Sequence, residues 1–274
     1  MRLLDFVHNA KKQLNTLETP ELDIVLLVEY VTGRNRVNQY LSMGEMLSDD
    51  DLLLLNVLLK RRSSGEPMAY ILGKWGFREI ELKVTPDTLI PRPETELLVE
   101  LAMQKLKPDQ SFLDLGTGSG AIALSVATEM KNVHVTATDM SQAALTVAQE
   151  NGKLLNCLHV SWACGSWFEP LNGRTFDVIA SNPPYIAEGD AHLVDLSYEP
   201  VTALSSGNDG LCDIRKIICE AREYLSAGGW LLLEHGYDQG KAVRDILQQE
   251  NWLGIQTHQD LGGKDRVTMG QIPC

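Results

Sequence analysis

The run FDVIAS, residues 176–181, ends on Asn182-Pro183-Pro184-Tyr185. Two prolines stop an apolar strand abruptly, because proline has no N–H to extend a ladder. They leave the Pro183 carbonyl and the Asn182 side-chain oxygen as two acceptors on a stiff turn. Two acceptors suit a planar NH₂ group, which carries two donors. The ring of Tyr185 can stack against the same plane. These residue types describe a holder for an amide or an amino-substituted base, with its nitrogen aimed at one point. The bland reading is a loop that only ends a strand.

A second cluster lies in DLGTGSG, residues 114–120. Gly116, Gly118 and Gly120 alternate with Thr117 and Ser119, which permits a tight turn and close backbone approach to a ligand. The spacing is not that of a dinucleotide fingerprint, and no Lys-Ser/Thr pair makes it a phosphate loop. Neither a pyrophosphate nor a triphosphate is the expected guest. Asp139 closes the next apolar run and can accept from both hydroxyls of a ribose. It can equally cap the helix that follows it. Together with the glycine loop it points to a nucleoside. Trp167, after a third run, can pack on a flat purine or sit in the core.

The elements that position these residues follow from periodicity. SFLDLG, VHVTATD, HVSWACG, FDVIASN and GWLLLEHG read as buried strands. AIALSVATEM, SQAALTVAQENGKLL, LCDIRKIICEAREYL and GKAVRDILQQE read as helices between or after them. That alternation predicts an α/β fold with a mostly parallel sheet, helices on both faces and ligands at the carboxyl ends of the strands. GIQTHQD and DRVTMGQI are expected to add edge strands. Ahead of this part, LDIVLLVEYVTG and DDDLLLLNVLLKRR carry helical spacing, with Ser48 as a cap and Gly33 and Gly65 as stops. EIELKV alternates like a short hairpin strand. The expected organisation is a small all-helical domain at 1–73, a hairpin connector at 74–95 and a catalytic domain at 96–274. Arg92 and Glu94 in the connector either line the pocket mouth or pair at the domain junction.

Charge narrows the partners. The chain has 274 residues and a net charge of −13. Residues 1–75 hold 9 basic and 10 acidic side chains, and residues 76–274 hold 15 and 27. So acidic a surface repels a phosphate backbone, and no direct nucleic-acid partner is expected. The five cysteines have no metal or redox spacing and are expected to be reduced and mostly buried. No metal site is expected. The N-terminus lacks a signal-peptide core, and no run approaches a membrane span, so a soluble, cytoplasmic protein is expected.

The glycine loop, Asp139 and the NPPY tetrad together resemble the class I S-adenosylmethionine-dependent methyltransferases that act on a planar nitrogen. Further stretches resemble one branch, the PrmC/HemK family of peptide-chain release factor glutamine methyltransferases. They are AYILGKWGF at 69–77, TLIPRPETE at 88–96, YEPVTAL at 198–204, GNDGL at 207–211 and DLGGKDRV at 260–267. The resemblance spans nearly the whole chain. It implies a Rossmann-like fold, S-adenosyl-L-methionine as cofactor, and transfer of a methyl group to the glutamine amide of a Gly-Gly-Gln motif in translation release factors. By the same resemblance, Gly116, Thr117, Gly118, Ser119 and Gly120 contact the methionine part of the cofactor. Asp139 holds its ribose, and Trp167 lines the adenine pocket. Asn182 and the backbone of Pro183 bind the substrate amide, Pro184 completes the turn, and Tyr185 packs on the amide. The family often has an acidic residue where this chain has Ser166, which leaves recognition of the adenine amine open. The helical domain is expected to dock the substrate's body, and the enzyme to be a monomer. A sister enzyme that methylates a ribosomal-protein glutamine would share the same site. So would an amino-methylating DNA or RNA enzyme, and a scaffold that only binds the cofactor would share the fold.

Overall fold

The computed structural model describes residues 1–274, which divide into two compact units, Met1–Gly73 and Lys74–Cys274.

The first unit is all helical: α1 (Leu3–Gln13), α2 (Pro20–Thr32), α3 (Arg36–Leu41), α4 (Asp49–Ser63) and α5 (Met68–Leu72). Local chemistry sets the ends. Ser48 caps α4 by accepting from the Asp51 N–H at 3.0 Å. Asp49, Asp50 and Asp51 fill the first turn and Lys60, Arg61 and Arg62 the last, each sign complementing the helix dipole. Gly33 ends α2 with φ 70°, a conformation that favours glycine. Leu3, Phe6, Leu27, Leu55 and Leu59 form the buried interior. A partly buried ion pair of 2.8 Å, from Arg62 Nε to Asp23, ties α4 to α2.

The second unit opens with a hairpin, β1 (Lys74–Phe77) and β2 (Ile80–Lys83), followed by α6 (Thr95–Lys105). Then come β3 (Ser111–Leu115), α7 (Ala121–Glu129), β4 (His134–Asp139), α8 (Gln142–Leu154), β5 (Ser161–Cys164) and β6 (Phe176–Ser181). The chain ends with α9 (His192–Asp195), α10 (Cys212–Ala221), β7 (Leu225–Glu234), α11 (Gly240–Gln249), β8 (Leu253–Gln259) and β9 (Asp265–Gln271). Seven strands form one sheet in the order β5-β4-β3-β6-β7-β9-β8. The first five run parallel, and β9 pairs antiparallel with both β7 and β8. Side chains alternate across it, as strands require. Phe112 packs with α6, α7 and the hairpin on one face, and Leu113 and Leu115 pack with α10 and α11 on the other. The chain reverses its winding direction between β3 and β6, so a ligand crevice is expected at their carboxyl ends.

Three expectations are corrected. The hairpin is not a free connector: it belongs to the second unit, with Phe77, Ile80 and Leu82 in its core. Asn151 also holds it, donating to the carbonyls of Lys83 and Ser119 at 2.9 Å each and accepting from Lys83 N–H at 2.7 Å. Of the two stretches expected at edges, only β8 lies at an edge of the sheet; β9 is interior, and its Val267 and Met269 are correspondingly buried. Of the cysteines, Cys157 alone is buried; Cys164, Cys212, Cys219 and Cys274 are exposed. On α10 the reason is plain, because Ile214, Ile217 and Ile218 occupy the core face and turn Cys212 and Cys219 outward.

Candidate active site

A cavity of about 440 Å³ opens at the carboxyl ends of β3, β4 and β6. Its floor is the glycine loop. Gly116, Gly118 and Gly120 all have positive φ (72°, 56° and 88°), which explains the every-second-residue spacing. A Cβ on Gly116 would sit 3.2 Å from the Trp167 ring, so the loop and the ring leave no room for a side chain between them. Gly116 and Gly118 line the cavity. Thr117 and Ser119 do not; both are buried beneath it. Thr117 Oγ1 donates to Asp114 Oδ2 at 2.6 Å, and Ala123 N–H donates to the same oxygen at 3.1 Å. Gly120 is the left-handed residue from which α7 starts. These three residues shape the loop from behind. Asp114 is wholly buried with Oδ1 unpartnered, and burial pushes its carboxyl up to about 7 against the pull of those two donors.

Asp139 lines one wall. Its two oxygens accept from backbone: Oδ2 from Gly118 N–H at 2.9 Å, and Oδ1 from Ser141 N–H at 2.8 Å. The cap of α8 is Ser141, whose Oγ accepts from Ala144 N–H at 3.2 Å. Asp139 therefore joins the glycine loop to the end of β4 while lining the cavity. Burial raises its pKa, and the two amide donors oppose that shift.

Trp167 forms the opposite wall. Its backbone has φ 48°, a strained left-handed conformation for a tryptophan. Two anchors hold it there. The indole Nε1–H donates to Asp213 Oδ1 at 3.2 Å, and its carbonyl accepts from Thr138 Oγ1 at 3.2 Å. Asp213 is fixed in turn by Ser206, whose hydroxyl donates to Oδ2 at 2.6 Å. Where an acidic residue was the family expectation, Ser166 accepts from Lys216 Nζ at 3.3 Å. Ser166, Lys216 and Asp213 are the polar groups at this end of the cavity.

Asn182 stands where the large cavity meets a smaller one of about 70 Å³, lined also by Arg92, Tyr185 and Leu196. Its Nδ2 donates to Thr95 Oγ1 at 3.2 Å. Pro183 and Pro184 are buried, and Pro184 touches the large cavity. Tyr185 lines the small cavity and donates its hydroxyl to Glu234 Oε1 at 3.3 Å. Burial and the nearby Glu234 carboxyl push its pKa upward, so it stays a neutral phenol. Glu199, buried, accepts from Ile90 N–H at 3.0 Å and pairs with Arg92. That clamp ties the Pro-rich segment to the loop after β6, and both segments wall the cavities. Arg92 thus lines the small cavity and pairs with Glu199 inside the second unit rather than at a domain junction, while Glu94 precedes α6 without a side-chain capping bond.

Thr95, Glu199, Asp213 and Glu234 were not singled out from the sequence. For Glu234 a signal existed: an acidic residue closing a buried strand in LLLEHG, at the carboxyl end where ligands bind. Thr95, Glu199 and Asp213 act through partners 87, 109 and 46 positions away, which no local pattern announces.

A family model described as "PrmC N-terminal domain" matches residues 5–73, and one described as "Methyltransferase small domain" matches residues 93–199. A release factor glutamine methyltransferase of Vibrio cholerae serotype O1 is 48% identical over 93% of this chain and 90% of its own. One from Escherichia coli strain K12 is 42% identical over 99% of both chains. Among solved structures, a methyltransferase from Pyrococcus furiosus has a TM-score of 0.55 at 20% identity, covering 70% of this chain and 89% of its own. An rRNA N2-guanine methyltransferase of Thermus thermophilus, solved with AdoMet and guanosine, has a TM-score of 0.52 at 20% identity, covering 73% and 49%. These two share the fold.

Proposed function

The chain belongs to the release factor glutamine methyltransferases, and we propose that Asn182 and the Pro183 carbonyl hold the glutamine amide while the larger cavity holds S-adenosylmethionine. One observation carries this reading. Asn182 lies on the wall shared by the two cavities, so a group held by it faces both. The methyl donor belongs in the larger cavity, whose chemistry fits it. Asp139 offers charged acceptors to the ribose hydroxyls, the Trp167 ring offers a flat surface to adenine, and Gly116 and Gly118 let backbone approach the methionine part. A cofactor without phosphates also accounts for the departure from the dinucleotide spacing.

S-adenosylmethionine supplies a methyl group already activated on a positively charged sulfur. The protein has to overcome the weakness of the nucleophile, because an amide nitrogen's lone pair is delocalised into its carbonyl. Alignment can contribute roughly 7–11 kcal/mol of the barrier. Asn182, with its nitrogen engaged by Thr95, presents its oxygen to the substrate NH₂. That oxygen and the Pro183 carbonyl stabilise the positive charge that grows on nitrogen as the N–CH₃ bond forms and the S–CH₃ bond breaks. The surplus proton leaves the nitrogen for water. Tyr185, kept neutral, packs on the amide plane.

We place the methylated glutamine in the Gly-Gly-Gln segment of the release factor and assign the body-docking contacts to residues 1–73, because so short a loop offers few contacts of its own. The strongly acidic second unit argues against a nucleic-acid substrate. No helix is long and apolar enough to cross a membrane, and the expected place of action is the cytoplasm, with a monomer as the working unit. The test is methyl transfer from labelled S-adenosylmethionine to purified release factor, its loop Gln→Ala variant, ribosomal protein, and single- and double-stranded DNA. Label confined to the intact release factor is expected. Label on ribosomal protein alone, or on DNA, would overturn the assignment.

A further inference from the structure

Glu234 and the segment DLGGKDRV line neither cavity. We propose that Glu234, acting through Thr95, is a positioning residue that decides which end of the Asn182 amide faces the substrate. This rests on the reading of Asn182 as the amide holder.

The register of the sheet brings the groups together. Ser181 of β6 pairs with Leu233 of β7, so Asn182 and Glu234 are the next residues outward on adjacent parallel strands. Glu234 is wholly buried. Its Oε1 accepts from the Tyr185 hydroxyl, and its Oε2 has no hydrogen-bond partner within normal distance. The Thr95 hydroxyl, the Arg266 charge and the Tyr185 hydroxyl favour its charged form against burial.

Thr95 has a single proton to give. Its oxygen receives one from Asn182 Nδ2, so its own proton is free for an acceptor. On this proposal the unpartnered carboxylate oxygen of Glu234 is that acceptor. The donors then run in one direction, from Asn182 to Thr95 to Glu234, and the Asn182 oxygen is turned toward the cavities. In the flipped arrangement, Asn182 would accept the Thr95 proton. Glu234 would lose its donor, and an NH₂ would face the substrate NH₂, donor against donor. A buried carboxylate that needs a donor thus selects the productive flip.

The charged groups around Glu234 come from each packed element. Arg266, on β9 beside the Glu234 partner Val267, favours its ionisation, and Glu94 at the start of α6 opposes it. Tyr185, from the loop after β6, remains a neutral donor. Arg266 is itself buried and held from below. Its Nε and Nη2 donate to Asp260 Oδ2 at 3.4 and 3.3 Å, and Nη1 donates to the His235 carbonyl at 3.4 Å. Asp260 is locked in its turn by the N–H groups of Gly262 and Lys264 at 2.9 and 3.0 Å. Through these bonds DLGGKDRV sets one guanidinium where its charge reaches Glu234. Burial outweighs these contributions and carries Glu234 up to about 7, so its protonation weakens the orienting pull near neutral pH.

The experiment is steady-state kinetics on whole release factor with Thr95→Val, Thr95→Ser, Glu234→Gln and Asn182→Ala, alongside calorimetric binding of S-adenosylhomocysteine. Thr95→Val is expected to lower kcat at least tenfold with the KM for release factor and the Kd for S-adenosylhomocysteine within about twofold of wild type, and Thr95→Ser to recover most of the loss. Wild type is expected to lose kcat on acidification through about pH 7, and Glu234→Gln to lack that limb. Should Glu234→Gln fail to fold, the Thr95 pair decides alone. Normal kcat in Thr95→Val beside an inactive Asn182→Ala would overturn the positioning role and leave the amide-holder reading standing. Normal kcat in both would overturn the amide-holder reading itself.

Discussion

Removing the Asp139 carboxylate should cost cofactor affinity. Its oxygens accept from Gly118 N–H at 2.9 Å and Ser141 N–H at 2.8 Å, and the carboxylate lines the cavity with acceptor capacity left on each oxygen. A hydrogen bond to a charged group contributes about 1.5–3 kcal/mol. Two ribose hydroxyls would then supply about 3–6 kcal/mol, or roughly 10²–10⁴-fold in Kd. The cavity is open to solvent on one side, so the lower end applies, and Asp139→Ala should raise Kd about 10²-fold. Asp139→Asn keeps one acceptor and places an NH₂ against a backbone N–H at the other position. It should fall between, about tenfold above wild type. Calorimetric titration with S-adenosylhomocysteine measures both, and thermal melts verify that the fold survives. Ser141 already caps α8, so loss of a cap cannot imitate the effect. An unchanged Kd in a folded Asp139→Ala variant would refute the reasoning, leaving Asp139 a loop tie alone.

Further expectations concern the amide holder, the buried carboxyls, the clamp and the helical unit. Asn182→Ala should lower kcat about 10²–10³-fold, the usual cost of one electrostatic stabiliser, with cofactor Kd little changed; single-turnover transfer reports it. Glu234 binds its proton more tightly folded than unfolded, rising from an ordinary 4.5 to about 7. Its contribution to stability is full below pH 4.5 and lost as pH rises through about 7. Glu234→Gln should therefore be more stable than wild type at pH 8.5, by up to about 3 kcal/mol, with the gain shrinking toward pH 5. Urea unfolding across that range would contradict this if the difference proved independent of pH. Arg92→Ala leaves Glu199 buried beside a single N–H donor, and should destabilise by about 1–3 kcal/mol; the denaturant midpoint measures it. Deleting residues 1–70 should raise KM for whole release factor more than for a loop peptide, and equal effects on both would remove the docking role.

Much of the proposed site was legible because its parts are local. The glycine spacing of 116–120, Asp139 at a strand end and the proline stop at 183–184 each follow from backbone chemistry within a few residues. Two parts were read too broadly. Thr117 and Ser119 sit in the motif but point into the protein, because side chains alternate about a loop whose backbone faces the ligand. Asp139 satisfies capping rules on paper, yet Ser141, two residues on, takes that place. The helix Thr95–Lys105 went unread, although it carries the threonine that engages Asn182.

Composition and periodicity determined that this chain has a helical part and a parallel α/β part, and its motifs pointed to the nucleoside crevice and the planar-nitrogen holder proposed above. Those features depend on φ angles, proline chemistry and strand period, which neighbours in the chain settle among themselves. Tertiary structure alone decided that β9 inserts between β7 and β8, that Glu199 clamps Ile90 and Arg92, and that Glu234 accepts from Tyr185. Those pairings join groups far apart in sequence, and each depends on burial, which lets a carboxylate govern the orientation of its neighbours only once water has been excluded.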